Sequence, residues 1–306
     1  MPRHGLSKLT RPGKRYRPDL AGRRFESKEE KQLEDAKRRQ YLNRPGTTAS
    51  LTLHEQKLAK RLTKKFIQAE QRKKLPPTIA SARYMRKQRV RIVGRLWELF
   101  EKEVKEGGRI STFHVLPPSW VIPSEDLAGL DPHKLLEQFR RDLTRLGKAP
   151  MRGWLFASIH GEFDPKNEVF HLHLHGLASN TMLRRVNKLR HLRKYRRGPK
   201  LNKGRKNRPS IRITRKDLRD PLRALSYCLQ SWWNVKSFKS HADGTTRRTP
   251  SKMRIPAHHQ ARYLIWLDQH RIEDVTILMG LAVKKGRLCR TGKWYRNAEQ
   301  PKRKNG

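Results

Sequence analysis

Large apolar side chains are sparse in the first third of the chain and regularly spaced after it. Over residues 1–84 basic residues dominate. "SKEEKQLEDAKRRQYL" opens with a capping box, Ser27 three positions before Glu30, and predicts a helix with a thin apolar stripe. The expectation is a mobile, partly helical basic arm, not a domain. From residue 85 the apolar content rises. "RISTFHVL" (109–116) and "WLFASIHGEF" (154–163) are short, rich in aromatic or β-branched residues and bounded by Gly or Pro, which predicts strands. Between them Asp131 as N-cap, Pro132 at the first helical position and Gly147 as stop frame a helix with Leu135, Leu136, Phe139, Leu143 and Leu146 at helical spacing. Asp220 and Pro221 repeat the start signal before "LRALSYCLQSWWNVKSF", a predicted helix with Leu222, Leu225, Leu229, Trp232 and Trp233 on one face. Tyr227 falls nearly opposite, beside Arg223, Gln230, Ser231 and Asn234. "IPAHHQARYLIWLDQHRIEDVTILMGL" reads as two further helices, the second ending near Gly280, and 286–306 as a frayed basic tail.

In "VFHLHLHGL" (169–177) the pattern has period two. An extended strand places His171, His173 and His175 on one face and Phe170, Leu172 and Leu174 on the other. Asp164-Pro165-Lys166-Asn167 is a set of turn formers, so the two strands around it make a hairpin. If that tetrad is the loop, Phe163 faces Glu168, and His160 lies opposite His171 and joins the row; a loop one residue longer or shorter turns it to the apolar side. Neutral imidazoles converging on one face of a sheet are good ligands for a divalent ion. Zinc-finger spacing is absent, as is the His-x-His-x-Asp-His pattern of metallo-β-lactamases.

Charge then points to the partner. The chain holds 73 Lys and Arg against 27 Asp and Glu in 306 residues, a formal charge of +46. Such self-repulsion is normally neutralised by a polyanion, nucleic acid before an anionic membrane. Residues 184–208 carry 13 Lys or Arg and no acid. This run is read as a solvated basic loop that contacts nucleic acid through Arg184, Arg185, Arg193, Lys194, Arg196, Arg197 and Lys206, with Tyr195 able to stack on a base. No membrane span or secretion signal is visible, and Cys228 and Cys289 are too few for a disulfide framework or a Cys-rich zinc site. The expectation is a soluble protein of the bacterial cytoplasm with no membrane partner. A metal site on so basic a chain suggests phosphate chemistry, for which Tyr227, on the polar face of its helix, is the candidate nucleophile.

The His-hydrophobic-His strand "HLHLHG" followed about fifty residues on by "LSYCLQSWW" resembles the HUH endonucleases. Among them it is most similar to rolling-circle replication initiators of plasmids. The "SIHGEFDP…FHLHLHGL" hairpin and "LIWLDQH" extend the resemblance over roughly residues 105–285, with "RISTFHVL" a degenerate first strand motif. The resemblance implies an α+β fold: an antiparallel sheet of about five strands with helices packed on one face. It assigns 85–285 to the catalytic and DNA-binding domain, with the 184–208 loop inside it. It also implies a bound Mg²⁺ or Mn²⁺ held by His173, His175 and an upstream ligand, His160, with a less defined role for His171. Tyr227 would attack single-stranded or cruciform origin DNA, leaving a 5′-phosphotyrosine and a free 3′-OH that primes synthesis by host helicase and polymerase. The family's Tyr-x-x-Lys reads here Tyr227-Cys-Leu-Gln230. Glutamine brings no charge, so either Lys236, Arg223 or the basic run substitutes, or activity is weakened or lost. A transposase or relaxase, and a non-catalytic nucleic-acid-binding protein, are the alternatives.

Overall fold

The computed structural model describes residues 4–11, 27–146, 152–196, 209–214, 218, 220–230, 232–240, 246–249 and 253–291. Four helices come first: α1 (Lys28–Asn43), α2 (Pro45–Ala49), α3 (Leu53–Gln71) and α4 (Ala82–Lys105). They lead into β1 (Ile110–Val115), β2 (Val121–Pro123), α5 (Pro132–Arg145), β3 (Leu155–Asp164), β4 (Val169–Ser179) and α6 (Asn180–Lys188). Then follow β5 (Ile211–Ile213), α7 (Pro221–Tyr227), β6 (Asn234–Val235), the pair β7 (Ser237–Ser240) and β8 (Thr246–Thr249), α8 (Ala257–Gln269), β9 (Thr276–Met279), β10 (Leu281–Lys284) and β11 (Arg287–Arg290).

The fold is α+β, with more strands than the five expected. Its main sheet has seven, in the order β5-β1-β4-β3-β6, with β2 also pairing β4 and β9 also pairing β3. The pairings are antiparallel except β3 with β6. The histidine-bearing β4 therefore lies inside the sheet, between β1 and β3.

The local start signals act as read. Ser27 and Glu30 form a full capping box on α1, and the Asp131 side chain accepts from the backbone N–H of His133 with Pro132 beginning α5. The described part of the N-terminal segment, by contrast, is not an arm. Leu6, Leu9, Leu42, Leu51, Leu62 and Phe66 are all buried in the same core as the sheet. Asp35 of α1 accepts from Ser81 Oγ at 2.7 Å and from the backbone N–H of Ala82 at 2.6 Å, capping α4. Arg38, 1% exposed, donates to the Ala80 carbonyl at 2.7 Å. A thin apolar stripe is enough when polar residues at the contact are hydrogen-bonded to each other.

Two expected helices are also corrected. The segment after Pro221 stays helical only to Tyr227, because Asn234 and Val235 instead pair with Glu162 and Phe163 of β3. The second helix expected in 257–281 is β9, buried throughout and paired with β3. A short apolar run buried on both faces has no period to separate strand from helix. Part of the expected tail is the β10–β11 hairpin; residues 292–306 lie outside the described residues. Among the described residues no helix is long and apolar enough to cross a membrane.

Candidate metal and tyrosine site

The β3–β4 turn holds four residues, as expected, but is displaced by one position: Asp164 pairs with Val169 and Phe163 with Phe170. This changes partners without changing faces. His160 stands opposite His173 rather than His171, still on the imidazole side. On the other flank, β1 brings His114 opposite His175. Three strands thus converge four imidazoles.

The ring centroids of His114 and His175 are 4.0 Å apart, those of His114 and His173 4.6 Å, and those of His173 and His175 4.8 Å. Each of the three offers one ligand nitrogen within 4.8 Å of the others. Two imidazoles each about 2.1 Å from a shared ion meet that spacing after small rotations. His173 Nδ1 lies 3.1 Å from the His171 carbonyl; donating there leaves Nε2 as its ligand atom. Burial pushes His160 down to about 3, helped by the neighbouring His173, and the Cys228 hydrogen bond only partly opposes this. Burial, then His160, His114 and His173, holds His175 well below the ordinary imidazole value. At neutral pH both are uncharged, the form that binds metal.

His114 was not among the four histidines expected as ligands. The structure groups it with His173 and His175, and engages the other two elsewhere. His160 Nε2 donates to the Cys228 carbonyl at 3.0 Å. His171 faces Asp164 Oδ2 at 3.4 Å, and Lys236 reaches the same oxygen at 3.0 Å. The alternation of Phe113, His114 and Val115 was visible in sequence, but nothing local says which strand lies beside β4.

Tyr227 ends α7 over this cluster. Asp220 caps the helix through the Arg223 N–H at 3.0 Å, and Leu225, Cys228 and Leu229 anchor it in the core. Gly161 then matters: a Cβ there would meet the Trp233 ring at 2.5 Å, so its absence lets the chain after α7 seat Trp233 against the sheet's apolar face. Tyr227 stays on the imidazole side, 43% exposed, its ring 4.7 Å from His175 and 6.1 Å from His160. Arg212, Arg223 and Thr214 line an open groove with His114, His175 and Tyr227.

The other expected contact residues divide. Arg184, Arg193 and Arg196 are exposed, and Arg184 shares a shallow groove with Arg109, Asn180 and Asn187. Arg185 donates to the Leu143 carbonyl at 3.3 Å. Lys194 pairs with Asp142. Tyr195 is buried and its hydroxyl donates to Asp142 at 2.8 Å, so its ring is not offered to a base. Burial, then that carboxylate, raises its pKa far above the usual phenol range. Arg197 and Lys206 lie outside the described residues. Up to Arg196 the basic run is α6 and two short 3₁₀ turns rather than an open loop. Gln230, with the helix already ended, lines a separate pocket with Ser158, Trp233 and Tyr263 rather than the Tyr227 groove. Lys236 is bound to Asp164 at the hairpin turn, roughly 20 Å along β4 from His175 at ~3.3 Å per residue. Among the described residues, Arg223 is the expected substitute for the missing lysine that shares a groove with Tyr227.

No family model matches the chain, and no curated protein and no solved structure matches it.

Proposed function

We propose that this chain is a metal-dependent DNA nickase and strand transferase that initiates plasmid replication. The observation that carries the reading is the Tyr227 ring 4.7 Å from His175, in a cluster where His114, His173 and His175 offer three ligand nitrogens. Their chemistry suits Mn²⁺ better than Mg²⁺, which prefers oxygen ligands. When bound, the ion would polarise a phosphoryl oxygen. The chain's residues do the rest. Arg212 and Arg223 hold the phosphate in the groove, and Tyr227 attacks it. A Tyr Oη–P bond forms, the P–O3′ bond breaks, and the phenol proton passes through solvent to the departing 3′ oxygen. The products are a 5′-phosphotyrosyl protein and a free 3′-OH, which primes synthesis.

The test is to incubate supercoiled plasmid carrying the cognate origin with protein and Mn²⁺. Wild type yields nicked plasmid and a covalent protein–DNA adduct; Tyr227→Phe yields neither, and His114→Ala lowers both. Equal nicking by Tyr227→Phe would refute the mechanism.

Gln230 in place of lysine, lining a different pocket from Tyr227, favours a second reading: a basic protein that binds nucleic acid without cutting it. Calorimetry separates the two. On the nickase reading wild type takes up one more Mn²⁺ per chain than the His173→Ala/His175→Ala variant; equal uptake by the two leaves the binding protein.

A further inference from the structure

A second group of metal-ligating side chains lies at the turn end of the β3–β4 hairpin, away from the imidazole row. Glu168, His258 and His259 each offer a ligand atom, all within 4.8 Å of one another. Three separate elements bring them there. Glu168 closes the turn in left-handed backbone, φ 51°, a conformation glycine adopts more cheaply. Its carbonyl accepts from the Ser124 N–H at 3.0 Å, which fixes the turn to the residue following β2. His258 and His259 come from the first turn of α8.

His259 is the best oriented of the three. It is 3% exposed, its ring 4.3 Å from Phe163 on the apolar side of the sheet. Its Nδ1 lies 2.6 Å from Oγ of the fully buried Ser124. A proton donated from Nδ1 to Ser124 leaves the Nε2 lone pair toward Glu168, the arrangement by which a partner hydrogen bond orients a ligating imidazole. Nε2 and Glu168 Oε1 are 3.9 Å apart, too far for a hydrogen bond. Arg262 is occupied by Glu55 and the Ser50 carbonyl, both at 3.0 Å. One serine therefore fixes a carboxylate-bearing turn and an imidazole, leaving between them a gap that an ion of tetrahedral preference spans.

We propose that Glu168, His258 and His259 bind a divalent ion of the Zn²⁺ type and so clip the β3–β4 turn to α8. Two imidazoles and a carboxylate are a set that zinc accepts, with water in the fourth position. The clip stiffens the hairpin that carries His173 and His175 further along β4. It stands apart from the nickase reading and survives that reading's failure.

The experiment is Zn²⁺ binding by equilibrium dialysis on the full chain. With His114, His173 and His175 all changed to alanine, one ion per chain is expected, and adding either Glu168→Gln or His258→Ala removes it. In wild type the turn amides at 166–168 are expected to exchange hydrogen more slowly with Zn²⁺ present, and His258→Ala to lose that protection. This second arm also decides the matter if the triple variant does not fold. Absence of an ion in the folded triple variant, or protection unchanged by His258→Ala, overturns the proposal.

Discussion

At His160 a strand and a helix end are joined by one side chain. Its ring packs 4.6 Å from His175, and its Nε2 holds the Cys228 carbonyl, one residue beyond Tyr227. The alternation of histidines along β4 was legible because period two is local, and the turn formers were enough to bring His160 to the right face. That its nitrogen serves the helix end depends on where α7 stops, which the helical pattern overran. His114 was illegible as a ligand for a related reason: strand order is set by contacts distant in sequence. Burial gives His160 a testable pH signature. Its folded value is about 3 against 6.5 for an ordinary imidazole. Below 6.5 the unfolded chain takes up a proton that the folded chain refuses, so stability falls as pH drops from 6.5 towards 3. His160→Gln, uncharged at all pH, is expected to be less stable at pH 8 but to lose less between pH 7 and 5. Denaturant melts at the two pH values check this; parallel losses in both proteins would show that His160 is not the group responsible.

Among the elements, the strand and helix starts were readable wherever a cap, a proline or a two-residue period marked them, as in α1, α5 and β4. The errors fell where partners at long range overruled local pattern. α7 ends after about two turns because Asn234 and Val235 are taken up as a strand against β3. β9 is a strand because β3 still has a free edge at Leu155–Ser158. α3 is the clearest case. Its capping box, Thr52 with Glu55, is as plain in the sequence as that of α1, yet its burial depends on α1 and α8 packing against it. Lys65 on α3 reaches Asp268 on α8 at 2.7 Å, and Leu62 beneath is fully buried. Leu62→Ala is therefore expected to destabilise the whole chain by about 2–5 kcal/mol, the cost of a cavity in a packed core. An arm would give nearly nothing. Thermal or urea unfolding monitored by tryptophan fluorescence reads the difference, since Trp233 and Trp266 lie in that core.

For the molecule as a whole, charge sets the behaviour with a polyanion. With a net charge of +46, salt-sensitive association with a polyanion is expected under the nickase reading and the binding-protein reading alike, so affinity alone decides nothing about chemistry. What does discriminate is the distribution of that charge. Many cations are already used inside the fold: Arg38 on Ala80 and Glu34, Arg262 on Glu55, Lys236 on Asp164, Lys194 on Asp142. Removing these should change stability more than the number of ions released. Arg184 is exposed, and Arg223 shares the groove of Tyr227. On the proposed function both contact phosphate, so Arg184→Ala and Arg223→Ala are each expected to reduce the slope of log affinity against log salt by about 0.7 for a single-stranded substrate. Tyr227→Phe carries the same charge and should leave that slope alone while abolishing the adduct. Fluorescence anisotropy across a salt series measures all three. If Arg223→Ala leaves the slope intact, the phosphate does not pass through the groove beside Tyr227, and a DNA-binding surface elsewhere on the molecule must carry the charge.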